Sequence, residues 1–254
     1  MNTIKVGIAD DHKIFRKGVI LSLRQYTNIT FVFEAENGEE IIKSINKDFR
    51  IDLQVLTGEE EARLTFLAAR RWFGWSSGRL LVIDIGGGSL EMAVGVDESP
   101  EVAISLPLGA ARLTNKFLKG DPYTDKSIRS LRDHIEEKLE QILPNLVKHQ
   151  ESDRAIATSK TLRTLARLTG DWFDGNGKNI TADAIRKLSA KLSEMDNSER
   201  AKLPGVSENR ASQIVAGAFV AESVMRNLDI AELEICPWAL REGVVLKWLD
   251  WMEA

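Results

Sequence analysis

Leu80-Leu81-Val82-Ile83-Asp84-Ile85-Gly86-Gly87-Gly88-Ser89-Leu90-Glu91-Met92-Ala93-Val94-Gly95 is the stretch from which the rest of the chain is read. An apolar strand runs into three glycines and then a second strand. The residues after the glycines alternate instead of repeating at 3.6, so the pattern predicts a β-hairpin. A dinucleotide-binding or P-loop site would require a helix there. Glycine tolerates φ > 0, and Gly86, Gly87 and Gly88 are expected to turn successive backbone N–H groups toward one point as an anion nest. Asp84 and Glu91 flank the turn. They cannot bind an anion directly, but they can hold Mg²⁺ or position a water beside a bound phosphate. The combination points to phosphoryl chemistry, and the two acids weigh against an ordinary glycine-rich hairpin turn.

The chain has 254 residues, 43% of them apolar, which allows two ordinary domains with real cores. No run approaches the ~20 apolar residues of a membrane-spanning helix, and no basic-then-apolar leader opens the sequence. The expected location is the cytoplasm. Cys236 is the single cysteine, which excludes an intrachain disulfide and a zinc cluster. A net charge of −4 without a long Lys/Arg run gives no support to nucleic-acid binding, so any polyanion must be held locally.

At the N-terminus, Ile4 to Ala9 alternates and ends in Asp10 and Asp11, a second candidate Mg²⁺ site at the end of a strand. Phe15, Val19 and Leu23 make a helix face, Thr30 to Ala35 reads as a strand, and Ile41, Ile42 and Ile45 line another helix. Residues 1 to about 50 resemble the opening half of a response-regulator receiver domain. In that comparison Ile51 to Leu56 is the third parallel strand, and Thr57 stands where the resemblance implies a phosphoacceptor aspartate. As a phospho-switch the segment is incomplete.

Beyond it, Ala62, Phe66, Ala69 and Phe73 form one stripe of a helix. Thr57 and Glu60 have capping-box spacing, which accounts for Glu60 structurally. Glu61 lies one step round the helix, free to face a substrate or a water, and is the candidate general base; a solvated acid near a helix start is the plain alternative. Glu101 to Leu106 completes a meander. Arg112 follows on a helix, either near a phosphate or on the surface. Ile128 to Ile142 is a long amphipathic helix ended or kinked by Pro144. Ala155 to Leu162 is a strand meeting a helix, where the Thr158-Ser159-Lys160 junction is either an anion site or a simple cap with an exposed lysine. Asp171 to Asn179 reads as a polar loop, residues 181 to 195 as a helix, Ser207 to Met225 as a helix rich in small residues, and Leu233 to Ile235 as a strand before a last helix.

Five blocks in order carry a wider resemblance: Leu56-Thr57-Gly58-Glu59-Glu60-Glu61-Ala62-Arg63-Leu64, Asp84 to Glu91, Thr158-Ser159-Lys160-Thr161, Leu203-Pro204-Gly205-Val206 with Arg210, and Ala239-Leu240-Arg241-Glu242-Gly243. From about Asp52 to the end the chain resembles the exopolyphosphatase/guanosine pentaphosphatase (Ppx/GppA) family. The resemblance implies an actin-like, ribonuclease-H-related ATPase fold with added helices, working at a cleft between two such domains. It also implies release of terminal phosphate from inorganic polyphosphate or guanosine pentaphosphate with Mg²⁺. Carried over by position, Glu61 matches the general base, Asp84 and Glu91 match acids that bind metal or water, and Gly86 to Ser89 match a phosphate loop. The family's first phosphate loop, an Asp-x-Gly-Ser-Asn-Ser block, has no counterpart here.

The expected architecture is α/β, with a receiver-like parallel unit at 1 to 79 and an actin-like domain at 80 to 254. The expected function is phosphoanhydride hydrolysis. A non-hydrolysing binder of phosphate compounds and an inactive receiver fusion are the alternatives, with homodimerisation left open.

Overall fold

The computed structural model describes residues 3–9, 13–51, 53, 55–147, 152–173 and 176–253. The chain forms two compact units, Met1–Val55 and Leu56–Ala254. The boundary therefore lies well before the one expected at residue 79.

The smaller unit runs β1 (Ile4–Ala9), α1 (Lys13–Leu23), β2 (Ile29–Ala35) and α2 (Gly38–Phe49). β1 and β2 pair in parallel, with Ile4 opposite Ile29 and Ala9 opposite Ala35. The Asn37 side chain caps α2 by accepting from the Glu40 amide at 2.9 Å. Arg16 is buried, and its guanidinium donates to Glu34 at 2.7 Å and to Glu36 at 2.9 Å. Among the described residues of this unit only Ile20 and Ala35 are buried apolar side chains. A two-stranded sheet with so little core is marginal by itself. The third strand expected at Ile51 to Leu56 is not formed among the described residues, and Asp52 and Gln54 lie outside them. Asp10 and Asp11 also lie outside the described residues.

The larger unit opens with α3 (Gly58–Phe73) and a 3₁₀ turn at Trp75–Ser77. A meander follows: β3 (Leu80–Ile85), β4 (Leu90–Gly95) and β5 (Val102–Leu106). Next come α4 (Ala110–Phe117), α5 (Asp125–Glu140), α6 (Leu143–Val147), β6 (Arg154–Ala157), α7 (Ser159–Trp172), β7 (Asn179–Thr181) and α8 (Ala182–Glu194). The chain continues through α9 (Asn197–Arg200), α10 (Glu208–Ala211), α11 (Ile214–Asn227), β8 (Glu232–Ile235) and α12 (Leu240–Glu253). The strand order is β5-β4-β3-β6-β8-β7. β3, β6 and β8 are parallel neighbours, while β5, β4 and β7 run antiparallel to theirs.

The period-2 alternation of β3 and β4 divides their side chains between two cores. Leu80, Val82 and Ala93 face Ala62, Phe66 and Ala69 of α3, whereas Ile83, Ile85, Leu90 and Met92 join the helices of the other layer. This explains why α3 belongs with the larger unit: its apolar stripe is buried against this sheet. α12 crosses α3 so closely that a Cβ on Gly243 would overlap the Leu64 carbonyl. The crossing is tied by Arg71, which donates to Glu98 at 2.7 Å and to Asp250 at 2.8 Å.

Two elements differ from the sequence pattern. β7 occupies the end of the expected polar loop; three residues are too few for an alternation to register, and the strand exists because it pairs with β8. The helix expected from Ser207 onward is interrupted between Ala211 and Ile214.

Candidate active site

Asp84 and Glu91 are direct partners across the β3–β4 ladder. By alternation they point to the face that α3 covers, and they sit at the end of the hairpin where α3 begins. Two acids and the first turn of a helix therefore meet at one edge of the sheet. α3 begins close to β5, because a Cβ on Gly58 would overlap the Ser105 side chain. Ser105 lies directly opposite Glu91, and its hydroxyl donates to Glu91 Oε1 at 2.8 Å.

The first turn of α3 separates its acids as the sequence pattern predicts. The Thr57 amide donates to Glu60 Oε2 at 2.7 Å, and the Glu60 amide donates to Thr57 Oγ1 at 3.2 Å. These bonds hold the Glu60 carboxyl below the usual range. Glu61 is half-buried and pushed the other way, first by burial and then by the charge of Asp84. Asp84 is raised by burial against the Thr158 hydroxyl, which donates to its Oδ2 at 2.7 Å, and against the positive charge of Arg163. Glu91 is raised by burial and by the charges of Asp84 and Glu61, opposed by hydrogen bonds from Ser89 and Ser105. The three carboxylates thus repel one another in a partly desolvated corner, an arrangement that a cation or a shared proton relieves.

The glycine loop takes its shape from its carbonyls. Gly86 O accepts from the Ala110 amide at 2.9 Å and Gly87 O from the Arg112 amide at 3.0 Å. Gly88 O accepts from Arg112 Nε at 2.7 Å. The loop is strapped onto the start of α4, with Arg112 as a buttress. Contrary to the nest expectation, Gly86, Gly87 and Gly88 are not among the positive-φ residues, and a Cβ on Gly87 would meet only Ala111 Cβ at 3.8 Å. The steric demand falls on Gly109, where a Cβ would overlap the backbone of Gly87, Gly88 and Ser89. With the carbonyls engaged, the amides of Gly87, Gly88 and Ser89 have no acceptor within reach among the described residues. They remain available as donors to an anion.

β6 and β8 add their C-terminal ends to the same edge, where open sheets with parallel strands place ligands. Thr158, at the end of β6, precedes α7 but makes no capping bond; its hydroxyl turns to Asp84 instead. The cap comes from Ser159, whose Oγ accepts from the Leu162 amide at 3.3 Å while its backbone sits at φ 69°. A non-glycine residue in that region is strained, and the strain lies beside the acids. Lys160 is exposed. From α7, Arg163 donates to Pro237 O at 3.0 Å, after β8. Sequence reasoning singled out Glu61, Asp84, Glu91 and the loop. It did not find the partners Thr158, Ser105 and Arg163 or the tight fit at Gly109, which depend on which strands become neighbours.

The match to the Ppx/GppA phosphatase family model spans residues 30–252. The chain belongs to this family. Exopolyphosphatase 1 of Mycobacterium tuberculosis is 51% identical over 223 residues, covering 86% of this chain and 65% of the relative. Exopolyphosphatase 1 of Mycobacterium leprae is 50% identical over 223 residues. The chain thus spans about two-thirds of the length of these relatives, 65% and 66%. The crystal structure of the Aquifex aeolicus Ppx/GppA family member aligns with a TM-score of 0.73 at 25% identity, covering 96% of this chain and 84% of that one. An exopolyphosphatase from Cytophaga hutchinsonii aligns at a TM-score of 0.73 and 24% identity, covering 94% of this chain and 79% of that one. The fold is the actin-like fold of this family, a mixed sheet with helices. The family match begins at residue 30, earlier than the Asp52 expected, and takes in β2 and α2. Those elements belong to the family pattern, and the comparisons give no support to a receiver origin for the N-terminal segment.

Proposed function

We propose that the protein is an exopolyphosphatase-type phosphoanhydride hydrolase that removes terminal phosphate from inorganic polyphosphate. One observation carries this reading: Glu61, Asp84 and Glu91 converge beside the unpartnered amides of Gly87, Gly88 and Ser89. Glu61, with its pKa raised, accepts the proton of a water as the water oxygen bonds to the terminal phosphorus. The bond from phosphorus to the bridging oxygen breaks, and the bridging oxygen leaves with its electron pair on the shortened chain. The loop amides donate to the phosphoryl oxygens on which charge develops. Asp84, fixed by Thr158, and Glu91, fixed by Ser105, orient the water and the metal side of the site.

The proposed metal is Mg²⁺. Among the described residues no group of three or more His, Cys, Asp and Glu is close enough to hold a metal alone. Two hard carboxylate ligands completed by substrate oxygens nevertheless suit Mg²⁺. When bound at Asp84 and Glu91 it would supply charge neutralisation to the phosphoryl group. Guanosine pentaphosphate is the proposed second substrate, since the loop donors read phosphate oxygens without regard to what lies beyond them. A reducing cytoplasm suits the buried Cys236 thiol, which burial pushes up to about 12. Among the described residues no helix is long and apolar enough to cross a membrane.

A second reading is a protein that binds phosphate chains through the same loop amides and does not turn them over. Phosphate release from polyphosphate with Mg²⁺ decides between them. Release that disappears in Glu61→Gln supports the hydrolase, whereas tight binding with no release favours the binder.

A further inference from the structure

Outward from the acids along α7 lies a groove of about 470 Å³, lined by Arg163, Arg167, Asp171, Asn176, Gly177 and Ile235 among others. α7 starts at the acid site, so Arg163 lies about one turn into the helix and Arg167 about 6 Å beyond it. Arg163 is near enough to Asp84 to lower its pKa. One of its N–H groups is engaged by Pro237 O, and among the described residues neither Arg163 nor Arg167 forms a carboxylate ion pair. Asn176 Oδ1 accepts from the amides of Lys178 at 2.8 Å and Asn179 at 3.2 Å, which leaves its NH₂ group as a donor. The turn is held against the helix at Gly177, where φ is +70° and a Cβ would lie 3.9 Å from Arg167 Cα. Asp171, four residues after Arg167 on the same helix and exposed, bounds the groove with opposite charge.

Two guanidinium groups and an amide donor therefore line a concave wall that begins beside the catalytic acids. We propose that this groove holds internal phosphates of a polyphosphate chain whose terminal phosphoryl group lies at the Gly86–Ser89 loop. The inference rests on the hydrolase reading and assigns its preference for chain length: short phosphates reach only the loop, and long chains engage Arg163 and Arg167 as well. Guanidinium forks suit this task because they pair two N–H groups with two phosphate oxygens.

The test measures equilibrium binding of tripolyphosphate and of long-chain polyphosphate to the full chain in EDTA, where metal-dependent turnover is suppressed. Arg167→Glu is expected to weaken long-chain binding about tenfold or more, the scale of one lost charge-assisted contact, with tripolyphosphate affinity and the unfolding midpoint unchanged. Arg167→Lys should recover part of the loss. Equal weakening of both ligands, or no effect on either, overturns the groove while leaving the hydrolase reading intact. A parent protein that binds neither ligand overturns the groove, while phosphate release with Mg²⁺ separately decides the hydrolase reading. Long-chain binding that needs Arg167 in a protein blind to tripolyphosphate supports the groove and counts against the glycine loop as the terminal site.

Discussion

Glu91→Gln should make the protein more stable at neutral pH. Glu91 is only 5% exposed and faces Asp84 directly across the β3–β4 ladder, with Glu61 close by. Opposed residues on a ladder have Cβ atoms about 4.5–5.5 Å apart, so the carboxylates lie about 6 Å apart. At an effective dielectric of about 20, one such like-charge pair costs about 3 kcal/mol. The partly open edge of the site reduces this to about 1–2 kcal/mol. Glutamine keeps an oxygen for the Ser105 hydroxyl and removes the charge. For a unit of this size the gain corresponds to a rise of about 2–8 °C in the unfolding midpoint. Because burial and neighbouring charge raise the carboxyl pKa in the native state, the native form binds protons more readily than the unfolded chain. The parent is therefore penalised at high pH and relieved on acidification, so the advantage of the variant should be full near pH 8 and vanish near about pH 4. Mg²⁺ should raise the midpoint of the parent more than that of the variant, since the ion relieves the same repulsion. Thermal unfolding across pH, with and without Mg²⁺, reads both effects. A midpoint that falls in the variant at pH 8, or a gain that survives into acid, would refute the electrostatic account of the site.

Glu61→Gln should lower phosphate release about 10²–10⁴-fold with little change in polyphosphate binding, whereas Glu60→Gln, which still closes the capping box, should keep most of the activity; steady-state assays compare the two. Gly109→Ala should displace the Gly86–Ser89 loop and weaken phosphate binding by calorimetry, while Gly87→Ala, whose Cβ meets Ala111 at an ordinary 3.8 Å, should bind nearly as the parent does. The reverse order would show that glycine is needed for backbone freedom and not for close approach. Arg71→Ala should lower the unfolding midpoint by releasing Glu98 and Asp250. Arg71 depresses the Asp250 pKa, so that contribution is present at neutral pH and is lost as pH falls through the native value. A variant that unfolds like the parent at neutral pH would show the ion pairs to be without net effect.

The parts of the site held by local sequence were legible. The capping box that separates Glu60 from Glu61, and the hairpin that pairs Asp84 with Glu91, each follow from a few neighbouring residues. What escaped was set across the sheet. Thr158 reads as part of an anion site or as a cap because it precedes a helix, and only the β3–β6 pairing places its hydroxyl on Asp84. The glycine triplet suggested left-handed backbone, yet the tight requirement sits at Gly109, some twenty residues later, in a stretch with no pattern to mark it. The N-terminal reading shows the opposite weakness. A β-α-β-α order is common to many folds, and it placed β2 and α2 with a receiver when the family match claims them.

The strand order β6-β8-β7 sets the timetable on which the larger unit can form. β7 is made before β8 but has no neighbour until β8 slides between it and β6. α3, the first helix of the unit, waits for α12, the last, to cover it at Gly243. A ribosome adds about 5–20 residues per second, so α3 and β7 stay incompletely covered for seconds after they emerge. Refolding of the full chain should therefore be limited by a late docking step that involves its final twenty or so residues. A chain stopped before β8 should leave uncovered the side of α3 that α12 crosses and become a client of chaperones.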